Sequence, residues 1–220
     1  MVVLEELEQV RASFLKYTRA AFLRLPHIEK PRILDIGCGS GIPAIELAKL
    51  SNGEVIGIDI DQSCIDEFNR KIKEEALSDR VKVLNLSLFE MNFPDDAFDV
   101  IWVEGYFRTI GFERALKQWR RLLKYNGYLV IHYPIKPVAD SLSRLPQCGY
   151  RLEDTVLLPA DAWWTEFYNP LEEKMVALTR KYANSPDALK LLKQHKREMT
   201  LVKKNPRDFS SAFYIMKKVQ

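Results

Sequence analysis

A glycine cluster and two acidic residues are the side chains in this sequence that best indicate ligand chemistry. A short apolar run over residues 32–36 leads directly into Gly37, Gly39 and Gly41. Glycine suits a turn that needs positive φ or the close approach of a ligand. Asp59 follows the next apolar run, about 20 residues after the glycines. At this sequence separation a carboxylate can bind both hydroxyls of a ribose. The pattern predicts a site for a nucleoside-containing ligand, and a tight turn that binds nothing is the alternative.

The glycine spacing separates two classes of nucleoside ligand. A dinucleotide fingerprint, G-x-G-x-x-G, would need glycine at position 42, which is Ile42. The spacing here is G-x-G-x-G, and Asp35 precedes it within the motif. A carboxylate at that point would repel a pyrophosphate, whereas it would suit a ligand with an ammonium and a sulfonium group. The sequence therefore disfavours NAD-type cofactors.

Alternating strand and helix patterns should position these residues. We predict strands over residues 32–36, 54–60, 81–86, 98–103 and 128–132, and helices over 5–25, 42–50, 62–77 and 112–124, with a turn at 125–127. Such alternation favours a parallel sheet covered by helices on both faces. Two further strand-like runs, 150–158 and 209–219, flank a helical stretch of about 50 residues. We expect an α/β fold in which this stretch is an insertion before the last strand.

Four segments, in order and spacing, resemble the class I S-adenosylmethionine-dependent methyltransferases. They are residues 35–41, Asp59, residues 93–101 and residues 122–131, which together cover roughly 32–134. The resemblance implies a Rossmann-like fold with a mostly parallel seven-stranded sheet, and methyl transfer from S-adenosyl-L-methionine with S-adenosyl-L-homocysteine as product. Residues 102–113 and 163–170 resemble a subgroup of small bacterial and archaeal methyltransferases of type 11/25. That resemblance implies cofactor and reaction, not the acceptor.

The resemblance also implies a cofactor-binding set. Its members are Asp35, Gly37, Cys38, Gly39, Gly41, Asp59, Ile60, Ser87, Leu88 and Glu104. Asp35 is expected near the methionyl amino group, Asp59 at the ribose hydroxyls and Ile60 against the adenine. The family often has Gly-Asp where this chain has Leu86-Ser87, so the adenine contact departs from the pattern.

Three side chains near the expected ends of the fourth and fifth strands are candidate catalytic residues: Glu104, Tyr106 and His132. Glu104 could accept a proton from the acceptor, hold the methionyl amino group or cap local backbone. Tyr106 could line the acceptor pocket or only pack within its loop. His132 could be a base, although a hydrogen-bonded structural histidine is the more common case. The aromatic residues of 163–168 could form a pocket wall or anchor the insertion.

Composition limits the class of protein. The 220 residues are 47% hydrophobic and 29% charged, and the three cysteines show no metal-binding or disulfide spacing. We predict one domain, 1–220, with a helical cap over 1–30, a cofactor-binding core over 31–134 and a substrate-side half over 135–220 that contains the insertion, about 159–207. No metal site is expected. No signal peptide or transmembrane run is recognisable, so a cytoplasmic monomer or homodimer without a membrane partner is expected.

The charge is unevenly distributed along the chain. From Lys174 to Gln220 there are twelve lysines and arginines against three acids, a net charge near +9, and the remainder is near −6. A basic tail raises the alternative of an RNA acceptor. However, no aromatic residue occurs between Ser185 and Arg207, whereas nucleic-acid surfaces interleave basic and aromatic side chains. We predict a small-molecule acceptor and no nucleic-acid partner; a protein that binds the cofactor without catalysis is the remaining alternative.

Overall fold

The computed structural model describes residues 2–104 and 111–219. Seven strands form its sheet: β1 Arg32–Ile36, β2 Glu54–Asp59, β3 Val81–Asn85, β4 Phe98–Glu104, β5 Leu123–Pro134, β6 Tyr150–Leu157 and β7 Ser211–Lys218. The α-helices of the described residues are α1 Val2–Arg11, α2 Leu15–Phe22, α3 Ile42–Ser51, α4 Gln62–Glu74, α5 Phe112–Trp119, α6 Ile135–Leu142, α7 Asn169–Lys181 and α8 Pro186–Lys204. A π-helical turn, Trp163–Tyr168, precedes α7.

The strand order of the sheet is β3-β2-β1-β4-β5-β7-β6. The first five strands are parallel, and β7 runs antiparallel to both β5 and β6. The chain moves outward from β1 to β3 and then crosses to β4, so the order reverses between β1 and β4. In open α/β sheets ligands bind at such a reversal, beyond the carboxyl ends of the strands. The predicted Rossmann-like fold with an insertion before the last strand is confirmed.

Several boundaries differ from the sequence prediction. The single helix expected over 5–25 is interrupted by a 3₁₀ turn, Ala12–Phe14, and ends at Phe22. The helix expected over 112–124 ends at Trp119, and a 3₁₀ turn leads into β5 at Leu123. The predicted turn becomes a register shift inside the ladder between β4 and β5, where Asn126 has φ of 62°. The sequence prediction also lacks α6. Pro137 lies in its first turn, where proline removes no intrahelical hydrogen bond.

The N-terminal helices and the insertion pack together above the carboxyl end of the sheet. Tyr17 donates a hydrogen bond of 2.6 Å to Glu166 in the π-helical turn, and Lys16 forms an ion pair with the same carboxylate. Lys181 at the end of α7 pairs with Glu6 of α1. These contacts hold two segments that are remote in sequence as one layer over the sheet edge.

The long helix α8 packs through one apolar side. Ala188, Leu192, Met199 and Val202 are buried there, while the basic residues Lys190, Lys193, Lys196 and Arg197 are exposed. This helix therefore has one packing side and one solvated side. No helix among the described residues is both long and apolar enough to cross a membrane.

Candidate active site

The glycine turn between β1 and α3 is held against the end of β2. The backbone amides of Gly37 and Cys38 donate to the Ile58 carbonyl at 2.9 and 3.1 Å, and Gly39 N donates to the Asp59 carboxylate at 2.8 Å. Gly39 has φ of 52°, and a Cβ built there would meet nothing within 4 Å. Hydrogen bonds to the end of β2 therefore fix the turn on one side, and the space at Gly39 leaves its other side open to a ligand.

Gly41 is required for a different reason. Its φ is 81°, and a Cβ at this position would lie 2.1 Å from the Phe68 ring of α4. Phe68 itself is fully buried. Gly41 thus allows α4 to pack against the start of α3, which sets the shape of the turn.

Asp35 is the most unusual polar group of the site. It is 1% exposed on β1, and its Oδ2 atom has no hydrogen-bond partner among the described residues. Burial raises its pKa well above the usual range, and the nearby Glu104 and Asp59 carboxylates raise it further. A buried polar atom without a partner is costly. A cation that approached Oδ2 from the cavity would relieve this cost.

Glu104 ends β4 on the other side of the strand-order reversal. Its Oε1 atom accepts hydrogen bonds from Thr18 Oγ1 at 2.9 Å and from Trp102 Nε1 at 2.7 Å. No described residue donates to Oε2. Burial raises the pKa of Glu104, whereas Arg11 and the two donors oppose this rise. One carboxylate oxygen is held in place, and the other is available to a ligand.

A cavity of about 310 Å³ connects these groups. Its floor contains Asp35, the glycine turn and Glu104, and its roof comes from α1, the π-helical turn and α8. The roof side chains are Leu7, Glu8, Arg11, Phe167, Leu191 and His195. Lys71 of α4 joins roof to floor, because it pairs with Glu8 and donates to the Ser40 carbonyl at 3.3 Å.

The residues expected at the ribose and adenine lie outside this cavity lining. One Asp59 oxygen accepts from Gly39 N, and the other accepts from Ile60 N and Asp61 N at 2.7 and 2.9 Å. Ile60 is 67% exposed, Leu88 is partly buried, and Ser87 accepts from Phe89 N. The Asp59 carboxylate therefore also organises the turns after β1 and β2, a role that sequence reasoning did not foresee.

His132 occupies a different environment from Glu104. It is 5% exposed, its ring stacks between Phe213 and Trp163, and its Nε2 lies 2.9 Å from Ser211 Oγ. Trp163 Nε1 also donates to that hydroxyl, at 3.0 Å. Burial first, and then the charge of Arg11, lowers the pKa of His132 to about 3. The imidazole is neutral, partnered and not part of the cavity lining.

Tyr106, the third candidate catalytic residue, lies outside the described residues. Sequence reasoning missed Arg11 and His195, which both line the cavity roof. A signal for Arg11 was present: it lies between Leu7 and Phe14 at helical spacing, so it falls on the apolar stripe of the first helix. A cation in such a stripe indicates a site. For Trp163 the anchoring alternative fits its contacts, whereas Phe167 of the same turn lines the cavity.

Comparisons with known proteins agree with this geometry. Residues 33–127 match the profile of a methyltransferase domain family. The ubiquinone/menaquinone biosynthesis C-methyltransferase UbiE of Proteus mirabilis is 32% identical over 117 residues, which are 52% of this chain and 47% of that protein. The chain spans about half or less of the curated relatives it matches.

Two solved structures have the same fold over nearly the whole chain. A methyltransferase from Geobacter sulfurreducens in complex with S-adenosyl-L-homocysteine superposes with a TM-score of 0.74 at 20% identity, over 93% of this chain and 90% of that one. The cyclase SpnF superposes with a TM-score of 0.76 at 20% identity, over 93% and 81%. The family match over residues 33–127 agrees with the resemblance to the class I S-adenosylmethionine-dependent methyltransferases, and the two structures show that this chain shares their fold.

Proposed function

We propose that this protein is an S-adenosylmethionine-dependent methyltransferase that acts on a small molecule. The observation that carries the proposal is the buried Asp35 Oδ2 atom, which has no partner in the described part of the chain and lies beside an open glycine turn. Two further carboxylates, Glu104 and Asp59, raise the pKa of Asp35 and make this corner of the molecule electronegative. A ligand with a positive charge fits such a corner, and a pyrophosphate does not.

The residues of the site fit the methionyl and ribosyl parts of this cofactor. When bound, S-adenosylmethionine supplies a methyl group activated by a sulfonium. Asp35 and the free oxygen of Glu104 would accept hydrogen bonds from its ammonium group, directly or through one water. The backbone of Gly37 to Gly39, with Cys38 packed beneath it, would line the methionyl chain. Asp59 would bind the ribose hydroxyls, and Ile60, Ser87 and Leu88 would contact the adenine at the open rim.

Two roles for Glu104 are compatible with its surroundings. Thr18 and Trp102 fix the carboxylate, so its free oxygen has a defined position. It can hold the ammonium group, or it can accept the proton that an acceptor nucleophile loses. The raised pKa brings Glu104 closer to the pH of operation, which favours proton transfer. Transfer itself would also depend on proximity, because a site that holds the two reactants together lowers the barrier to in-line displacement.

A small acceptor suits the size of the cavity. Its volume of about 310 Å³ lies at the low end for ligand sites, and helices cover part of it. The basic side chains of α8 are spread along the solvated side of a helix that carries no aromatic residue. The UbiE relative is named for ubiquinone and menaquinone biosynthesis, which is consistent with a small-molecule acceptor. We retain a cytoplasmic monomer or homodimer as part of the proposal.

A protein that binds the cofactor without methyl transfer is the second candidate. The cyclase among the structural neighbours favours considering it, since the fold is common to proteins with different reactions. The two candidates differ in what happens to the methyl group, not in cofactor affinity.

A transfer assay with methyl-labelled cofactor tests the proposal. The purified chain would be incubated with pools of small metabolites, and in parallel with total RNA and tRNA, and the product mass would be measured. We expect label in a small molecule and none in RNA at about 150 mM salt. Label in RNA would contradict the small-molecule acceptor. S-adenosyl-L-homocysteine binding without transfer in any pool would favour the second candidate.

A further inference from the structure

The cavity roof contains a cation that no protein oxygen neutralises directly. Arg11 ends α1 half-buried, and its guanidinium carbon lies 5.1 Å from the ring centroid of Trp163 and 5.5 Å from that of Phe14. Among the described residues, no carboxylate lies within 4.0 Å of it and no oxygen accepts a hydrogen bond from its guanidinium. Five N–H donors in a fixed planar fork are therefore left to whatever fills the cavity.

Leaving such a group without acceptors is unfavourable. Burial lowers the pKa of Arg11, while Glu104 and Tyr168 oppose this effect, and a guanidinium nevertheless stays protonated in proteins. Contact with the faces of two aromatic rings compensates part of the lost hydration. It does not satisfy the N–H donors, which match the geometry of a carboxylate or phosphate.

The other charges of the cavity wall have different partners. Glu8 pairs with Lys71, and Asp35 and Glu104 are the groups proposed to face the cofactor's cation. Among the described residues that line the cavity, Arg11 is the one lysine or arginine. The carboxylates without a paired cation thus lie in the floor at β1 and β4, and the arginine lies in the roof.

Arg11 lines the same cavity as the glycine turn, but its contact with Trp163 extends to the half of the sheet that does not hold the cofactor motifs. It packs over Trp163, which is bonded to Ser211 at the start of β7 and stacked on His132 of β5. The glycine turn and Asp59 follow β1 and β2, on the opposite side of β4. Glu104 ends β4, the strand between these two halves, and its charge acts on Arg11, so a ligand at Arg11 would lie close to Glu104.

We propose that Arg11 binds an oxyanion of the acceptor, a carboxylate or a phosphate; this inference rests on the proposed methyltransferase function. The remainder of the acceptor is compact and at least partly apolar, because Leu7, Phe167 and Leu191 line the roof beside Arg11. Arg11 would then select anionic acceptors and orient them towards Glu104.

Binding of simple anions to the cofactor-saturated protein tests this inference. Wild-type protein saturated with S-adenosyl-L-homocysteine would be titrated with benzoate and phenyl phosphate, and with neutral benzamide and benzyl alcohol, by calorimetry. We expect each anion to bind at least tenfold more tightly than the neutral compounds. Arg11→Met should abolish that preference, Arg11→Lys should retain part of it, and Arg24→Met, at an exposed arginine paired with Asp154, should leave it unchanged.

The same titrations show whether Arg11 binds an anionic group of the acceptor or the carboxylate of the cofactor. We expect Arg11→Met to change the Kd of S-adenosyl-L-homocysteine less than threefold. A tenfold loss of that affinity without effect on benzoate or phenyl phosphate would assign Arg11 to the cofactor carboxylate and overturn the inference. Equal binding of anions and neutral compounds by the wild-type protein would overturn it as well. Absence of S-adenosyl-L-homocysteine binding by the wild-type protein would instead refute the proposed function on which the inference rests.

Discussion

Two groups of polar side chains lie at the carboxyl edge of the sheet, and they differ in how completely they are partnered. His132, Ser211 and Trp163 form a closed set in which the hydroxyl joins the other two. Asp35 and Glu104 form an open set, because within residues 2–104 and 111–219 one Asp35 oxygen has no partner and one Glu104 oxygen receives no donor. Both sets include a side chain near the carboxyl end of a parallel strand, so position alone does not distinguish them. The two sets differ in their hydrogen bonding, which is incomplete only in the set that faces the cavity.

The difference between the closed set and the open set has a physical basis. A closed set stabilises the fold by itself, because each buried polar atom finds its partner when the chain folds. An open set leaves some of this stabilisation to be provided by a ligand, so the fold bears a cost until the ligand binds. Substitutions in the open set should therefore change ligand affinity more than stability, and substitutions in the closed set should do the reverse.

The largest effect on ligand affinity is expected from Asp35→Asn. This change removes the buried charge that we propose to face the ammonium and sulfonium groups. Loss of one partner of a buried charge pair costs about 2–5 kcal/mol, so affinity for S-adenosylmethionine should fall by roughly thirtyfold or more. Calorimetry of the variant against wild type measures it, with the exposed Asp95→Asn as control.

The same variant should not lose stability. The folded-state pKa of Asp35 is raised, so the folded protein binds this proton more strongly than the unfolded chain does. Stability without ligand therefore falls as the pH rises above the unfolded value, and Asn removes that fall. We expect the Tm of ligand-free Asp35→Asn at pH 7.5 to equal or exceed that of wild type. A large drop in Tm would place Asp35 in a closed set.

A smaller effect is expected from Glu104→Gln, which can keep the hydrogen bonds from Thr18 and Trp102. Affinity for the cofactor should fall by about 1–3 kcal/mol if Glu104 holds the ammonium group. If Glu104 accepts a proton, turnover should fall by about 10²–10⁴ with little change in affinity. Steady-state kinetics with calorimetry separates the two roles. The exposed Glu90→Gln is the control, and a variant with unchanged affinity and unchanged turnover would remove Glu104 from the site.

The smallest effect on affinity is expected from His132→Phe. The ring can still stack between Trp163 and Phe213, but the hydrogen bond with Ser211 is lost, which should lower stability by about 1–2 kcal/mol at pH 8. Affinity for S-adenosyl-L-homocysteine should stay within about twofold of wild type. A much larger loss of affinity, at unchanged stability, would move His132 into the open set.

His132 should also give the wild-type protein a distinct pH dependence. The pKa of His132 is about 3 in the folded protein and near 6.5 in the unfolded chain. Its contribution to stability is therefore present above pH 6.5 and is lost as the pH falls towards 3. Denaturant unfolding at pH 8, 6.5 and 5 should show a flatter dependence in His132→Phe than in wild type. The exposed His27→Gln should show the wild-type dependence.

The sequence was informative where a local pattern determines structure. The run into Gly37 and the later Asp59 predicted both the turn and its neighbour, since glycine spacing and strand ends are local features. For the open set, the sequence predicted that Asp35 and Glu104 belong to the site, but not how their oxygens are hydrogen-bonded. Its incomplete hydrogen bonding depends on Thr18 and Trp102, and sequence spacing does not show which oxygen they occupy. Arg11 was missed because its role arises from Trp163, about 150 residues away along the chain.

Calorimetric titration of the wild-type protein with S-adenosyl-L-homocysteine and with NAD tests the central claim most directly. We expect saturable binding of one S-adenosyl-L-homocysteine per chain and no measurable binding of NAD. The reason is that Asp35 disfavours a pyrophosphate and Ile42 replaces the third glycine of a dinucleotide site. Tighter binding of NAD than of S-adenosyl-L-homocysteine would contradict the assignment of the glycine turn, Asp35 and Glu104 to a methyltransferase cofactor.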